Sequence, residues 1–170
     1  MATLSNDSTP VPADHTGAGM AAKIGAAILV VWGILHIWVG FEGIHQYLNN
    51  GTNGLWNIVV GGSRAPHAAY VHATDAVTLY AQGQLLLNFC IDVGGYGVLA
   101  LIVAWLITSR ASWAAYFIAV VVIGIADLTF LFAMVTSGVI EPNIPTVSGP
   151  ILWVIAVIAI PFGMPPLRKK

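Results

Sequence analysis

Charged side chains are scarce in this chain of 170 residues. Only 8% are Asp, Glu, Lys or Arg, whereas 58% are hydrophobic and the mean hydropathy is +0.84. A soluble domain carries about 25% charged and about 45–50% apolar residues, so this composition argues against a water-soluble fold. The six basic and seven acidic residues give a net charge of −1. The chain therefore lacks the basic surface that binding to nucleic acid requires.

Cysteine is nearly absent as well. Cys90 is the only one, which excludes an internal disulfide framework. The phosphate-loop, GxGxxG, HExxH and CxxC motifs are also missing. The sequence thus contains no complete catalytic signature.

Four hydrophobic segments are long enough to cross a lipid bilayer. A spanning helix needs about 20 mostly apolar residues, because lipid satisfies no backbone hydrogen bonds. We predict spans at about 21–43, 81–109, 113–134 and 150–164. They are apolar on every face, unlike the alternation of a membrane β-strand. The sequence therefore predicts an all-α, polytopic four-helix membrane bundle over residues 20–167.

The polar segments indicate an orientation in the membrane. Residues 1–19 are expected to form a disordered tail, and residues 46–75, rich in Asn, Gly and His, a long outer loop. Basic residues favour the cytoplasmic side. With four spans, Arg64 alone lies on one side, and the opposite side holds Lys23, Arg110, Arg168, Lys169 and Lys170. We expect a multi-pass protein of the inner (plasma) membrane with cytoplasmic termini, its first span an uncleaved anchor rather than a signal peptide.

Two acids and a histidine lie inside the predicted spans. A charge at the bilayer centre costs about 2.5–3.5 kcal/mol, so Asp92 and Asp127 need a partner, a proton or water. His36 lies at a similar depth, which allows a cluster of the three. The alternative is that His36 bonds a carbonyl or hydroxyl on a neighbouring helix and that both acids are neutral.

Polar side chains also recur at every fourth position of the second span, along a slowly winding helix face. This row either bonds neighbouring helices or forms a proton or ligand path ending at Asp92. Its members are Tyr80, Gln84, Asn88, Asp92 and Tyr96.

A second titratable group lies at the predicted outer face. Glu42 and His45 form an E-x-x-H pair, whose i, i+3 spacing lets both side chains reach one ion. His67, together with His72 and Asp75 as a second i, i+3 pair, can converge with them. Imidazole and carboxylate ligands suit zinc, copper or iron. The alternative is that these side chains are simply solvated at the membrane surface.

The architecture resembles a known family. Four short spans, with a G-x-x-H from Gly33 to His36 in the first, resemble the DoxX-like small membrane proteins of bacteria. The resemblance covers about residues 21–167 and implies a bacterial-type inner membrane protein. Some relatives are linked to respiratory or sulfur-compound oxidation, and no catalytic residue is carried over.

Three functions follow from these observations. The first is a non-enzymatic subunit or accessory protein of a membrane complex, which we expect because no complete catalytic set is present. Its partner would be another membrane protein or further copies of this chain. The second is a metal- or quinone-dependent redox enzyme using the outer His and Glu residues. The third is a small proton-coupled carrier using His36, Asp92 and Asp127. It ranks last because four helices enclose little volume, and neither broken helices nor inverted repeats are evident.

Overall fold

The apolar segments form helices because a helix satisfies its own backbone hydrogen bonds in lipid. The computed structural model describes residues 17–167, and within this range it contains helices and no strand. Four helices are long and apolar enough to span a membrane: α1 (Met20–Val59), α2 (Ala76–Arg110), α3 (Trp113–Thr136) and α4 (Ile144–Gly163). The predicted all-α, four-span architecture is confirmed. The predicted tail lies outside the described residues, apart from 17–19.

Polar side chains fix where three of the helices begin. The carboxylate of Asp75 accepts the backbone N–H of Thr78 at 2.8 Å and caps α2. The Ser112 hydroxyl caps α3. Asn143 and Thr146 form a reciprocal capping box at α4, which satisfies otherwise unpaired N–H groups. This box starts α4 at Ile144, earlier than the predicted 150, and leaves Pro150 inside the helix.

The first helix is longer than predicted and turns back on itself. Gly51 has φ 64° and ψ −163°, a conformation that is essentially restricted to glycine, and it breaks α1 there. Residues 52–59 form a short return helix, in which buried Leu55 lies against Gly43. The prediction that all of 46–75 is a loop is therefore wrong for its first half, where one glycine interrupts an otherwise helical segment.

Helices α1 and α2 pack in backbone contact. A Cβ atom added to Gly40 would lie 2.6 Å from the carbonyl oxygen of Cys90, and one added to Gly33 would lie 2.7 Å from that of Gly97. Small residues permit this close approach, which drives helix association in lipid through dispersion contacts. The glycines of GGYG at residues 94–97 serve the same contact, apart from Gly95, which faces open space.

Hydrogen bonds define two ends of the bundle. At the loop end, Gly62 N–H donates to the Val139 carbonyl at 2.9 Å, which joins the first connection to the third. At the terminus end, Gly19 N–H donates to the Gly163 carbonyl at 2.7 Å, and the Trp113 indole donates to the Pro165 carbonyl at 2.9 Å. The four helices therefore run alternately up and down.

The largest apolar core lies entirely in the half of the bundle next to the terminus end. It draws on residues 18–32, 100–111, 115–123 and 153–164 of the chain. Leu29, Ile123 and Ile160 are fully buried there. Toward the loop end of each helix, this core ends where the first polar side chains lie in the interior.

The backbone contact between α1 and α2 predicts opposite effects for two glycine substitutions. Gly40→Val introduces a side chain that neither backbone can avoid, and overpacking of this kind costs about 1–3 kcal/mol. Gly95→Ala is the matched control, with no atom within 4 Å, and should stabilise the helix by about 0.5–1 kcal/mol. Thermal unfolding of the purified protein in detergent measures both; equal melting temperatures would contradict the contact.

Candidate functional site

A buried acid and an imidazole meet between α1 and α3. His36 Nε2 lies 3.7 Å from Asp127 Oδ1, and the side chains are 21% and 3% exposed. Other Asp and Glu side chains of the described residues are not buried. The sequence placed these two at similar depth, and the structure brings them together.

Trp32 completes this pair by contacting both members. Its indole Nε1–H donates to Asp127 Oδ2 at 2.8 Å, so one carboxyl oxygen has a fixed donor. The indole ring stacks on the His36 imidazole with centroids 3.5 Å apart. We call Trp32, His36 and Asp127 the buried triad.

The histidine tautomer follows from the hydrogen bonds. His36 Nδ1 lies 2.8 Å from the Trp32 carbonyl oxygen, one turn earlier on the same helix. A carbonyl only accepts, so Nδ1 carries a hydrogen and Nε2 is the nitrogen that faces the carboxyl group. The predicted carbonyl bond of His36 thus exists, but within its own helix rather than to a neighbour.

Irregular helix segments surround the triad. Gly149 of α4 lies against it: an added Cβ would be 3.0 Å from His36 Cε1 and 3.2 Å from Asp127 Oδ1. Pro150 follows and has no N–H to donate within α4. In α3, π-helical turns at Ala119–Ile123 and Leu131–Thr136 flank Asp127. Such turns occur frequently at functional sites.

The triad lies in the part of the bundle that a hydrocarbon layer starting at the terminus end would cover, nearer the loop end. Asp127 is fourteen residues from Trp113 and Gly149 fourteen from Gly163, which places both about 21 Å from the terminus end at 1.5 Å per residue. The hydrocarbon layer is about 30 Å thick. Two polar side chains are thus enclosed by protein at a depth where lipid offers them no partner.

Asp92 does not join this site. It is exposed on the outer surface of α2, where Asn88 Nδ2 donates to its Oδ2 at 2.9 Å. Tyr80 and Gln84 are exposed as well, whereas Tyr96 packs on the apolar core. The row from Tyr80 to Asp92 therefore faces outward and does not line a route between the helices. The face of α2 opposite the row is the one occupied by the close contact with α1. Helical spacing alone predicts that these polar side chains share one face of α2, but not whether that face points into the bundle or outward.

The five candidate metal ligands do not converge. Glu42 Oε2 lies 3.7 Å from His45 Nδ1, and Gln46 donates to its other oxygen at 2.6 Å. His67 lies over Gly61, and His72 packs edge-on against Tyr70. Asp75 caps α2, where the Thr78 N–H lowers the pKa of its carboxyl below the usual value.

Among residues 17–167, no group of three or more His, Cys, Asp and Glu side chains is placed to hold a metal ion. The expectation of one zinc, copper or iron site built from the five is corrected accordingly. The return helix, residues 52–59, packs against both segments that carry the candidates: Leu55 lies against Gly43 of α1, and the Trp56 ring centroid lies 5.4 Å from that of Tyr70.

Sequence reasoning missed two members of the site. Trp32 lies one turn before His36, a spacing that places both on one helix face. Gly149 precedes Pro150, and a Gly-Pro pair inside a hydrophobic span signals a local break and a close approach. Both signals are present in the sequence, but neither identifies Asp127 as the partner.

No family model, curated protein or solved structure matches the chain.

The indole bond to Asp127 predicts strong coupling between two substitutions. Trp32→Phe leaves a buried carboxyl oxygen without its donor, at a cost of about 1–3 kcal/mol. In an Asp127→Leu background the same change removes no hydrogen bond and should cost at least about 1 kcal/mol less. Unfolding of the single and double variants in detergent measures the difference. Additive effects would show that the bond contributes nothing.

Proposed function

We propose that this multi-pass membrane protein is a non-enzymatic subunit or accessory protein of a membrane complex. The observation that supports it is an apolar, exposed surface on the start of α2 and the connection before it, where the chain extends past the lipid. The expected likeness to DoxX-like proteins fits this role but does not identify the partner.

Helix lengths establish the projection. α4 has 20 residues, about 30 Å, which matches the hydrocarbon layer by itself. α2 has 35 residues, about 52 Å, and even a tilt of 40° leaves it about 40 Å along the membrane normal. The helices are level at the terminus end, where their hydrogen bonds lie. The excess of α1 and α2 therefore projects beyond the membrane at the loop end.

This projection exposes large apolar side chains. Val71 is 88% exposed, Val77 79% and Tyr80 69%. Lipid covers exposed apolar residues elsewhere in the bundle, but these three lie beyond the hydrocarbon layer. Large exposed apolar residues in water, with a tyrosine and the polar side chain of Gln84 one turn further along α2, are typical of protein interfaces. A partner seated here would cover them.

The polar row connects this surface to the membrane. Asp92 is eighteen residues from Arg110, about 27 Å from the terminus end and close to the hydrocarbon boundary. Asn88 and Gln84 continue from it toward water. The carboxyl group is therefore accommodated by hydrogen bonding toward the headgroups, and the row can bond a helix of the same partner.

The proton-coupled carrier is the second candidate function, and one specific observation favours it. The buried triad places an acid and an imidazole together in the membrane interior, where ionisable side chains commonly serve proton movement.

The docking proposal predicts loss of the partner when the projection is made polar. Val77→Ser with Tyr80→Ser should reduce recovery of co-purified membrane proteins at least tenfold, because about 1.4 kcal/mol of lost contact is sufficient. The matched control is Val154→Ala, an exposed apolar position of α4 within the lipid. Quantitative mass spectrometry after purification from native membranes measures the loss. Equal recovery from both variants would refute the docking surface.

The orientation that we propose, with cytoplasmic termini, predicts one tryptic cut. Arg64 and Arg110 are both exposed and lie at opposite ends of the bundle. Trypsin added to intact spheroplasts should cleave after Arg64 and spare Arg110, whereas lysed membranes should be cut at both. Cleavage at Arg110 alone would contradict the proposed orientation and support the opposite one, since the proposal places the basic residues inside.

A further inference from the structure

We propose that His36 and Asp127 form a proton-binding site that exchanges protons with the loop end and is closed toward the terminus end. This proposal is independent of the docking surface. It concerns which side of the membrane can reach the buried triad.

In this site the two groups exchange one proton across 3.7 Å, a separation longer than a direct hydrogen bond. His36 Nδ1–H is held by the Trp32 carbonyl, so the proton that moves is on either Asp127 Oδ1 or His36 Nε2. Transfer from the oxygen to the nitrogen turns a neutral acid and a neutral imidazole into a carboxylate and an imidazolium. The total charge of the pair is unchanged. The Trp32 N–H bond to Oδ2 supports the carboxylate form.

Toward the terminus end the route is blocked by packed apolar side chains. Leu29, Ile123 and Ile160 are fully buried, and the Trp153 indole N–H donates to the Ala119 carbonyl at 2.8 Å. About 21 Å separates Asp127 from the start of α3 on this side. Close-packed interiors of this kind leave no space for water.

Toward the loop end, the part of α4 that covers the pair is short. α4 begins at Ile144, five residues before Gly149, or about 7.5 Å away. Thr146 and Ser148 lie in this part and are only half-buried, and His36 itself retains exposure. The Gly149–Pro150 step of α4 and the second π-helical turn of α3 also lie at or beyond the pair on this side.

Other titratable groups lie apart from the pair. On α1, Glu42 and His45 pair with each other nearer the loop end. On α2, Cys90 contacts Gly43, and Tyr96 packs on the apolar core. On α3, the Tyr116 hydroxyl donates to Val157 in the terminus half, and α4 carries no titratable residue.

The test is a sided pH step on protein reconstituted in vesicles. Tryptic cleavage at Arg64 measures the fraction of chains with the loop end outside, and cleavage at Arg110 the fraction inserted the other way. After a rapid change of external pH, infrared difference spectroscopy follows the Asp127 carboxyl band. We expect the carboxyl band to change in a fast phase. In every preparation, its fractional amplitude should equal the fraction of chains cleaved at Arg64. Proton exchange in the remaining chains should be at least tenfold slower.

Variants assign the signal. Asp127→Asn should abolish the band, and Asp92→Asn, the matched control, should leave it unchanged. His36→Gln should change the proton affinity of Asp127 at least tenfold, because the sharing partner is gone. If Asp127→Asn does not fold, Trp32→Phe keeps both titrating groups and should shift the band frequency.

Three results would overturn the proposal. The first is a fast amplitude that follows the Arg110 fraction or is independent of orientation. The second is a band that neither Asp127→Asn nor Trp32→Phe alters. The third is an unchanged affinity in His36→Gln, which would show that no proton is shared.

Discussion

The hydrogen bond from Trp32 to Asp127 is the interaction on which the arrangement of the bundle depends. A carboxyl group enclosed at this depth has neither water nor lipid headgroups as partners, so its donors must come from the protein. The donor comes from α1 and the acid from α3, and Gly149 of α4 lies against Asp127 and His36. With the hydrogen bonds of Tyr116 and Trp153 between α3 and α4, this contact sets the relative rotation of three of the four helices. Nonspecific apolar packing would leave that rotation free.

The triad also marks a boundary within the bundle. On one side lies the closely packed apolar core, and on the other the helices carry polar side chains, breaks and hydrogen-bonded connections. The interior thus changes in character about two thirds of the way across the membrane. This asymmetry underlies the proposed one-sided proton exchange. The proposed docking surface lies at the same end as the polar half of the bundle.

Much of the fold follows from composition and length. Four apolar segments predict four helices, and the small residues Gly33 and Gly40 lie where α1 and α2 come closest. Depth along the spans placed His36 beside Asp127. Depth does not give rotation about the helix axis, and for this reason Asp92 was grouped with them although it faces outward. Spacing of i, i+3 likewise does not show which segments of a long connection come together. The break at Gly51 starts a return helix that the sequence analysis did not predict, and the five candidate metal ligands do not meet.

The glycine contact between α1 and α2 has a consequence for biogenesis. These two helices are neighbours in sequence, and the close contacts of Gly33 and Gly40 involve no residue of α3 or α4. A helical hairpin can therefore assemble while the ribosome is still synthesising α3 and α4. When Asp127 is synthesised later, Trp32 and His36 already lie on a packed helix pair. The carboxyl group, which is costly to bury, can then form its hydrogen bond as it enters the bilayer, and α3 and α4 can pack against a preformed surface.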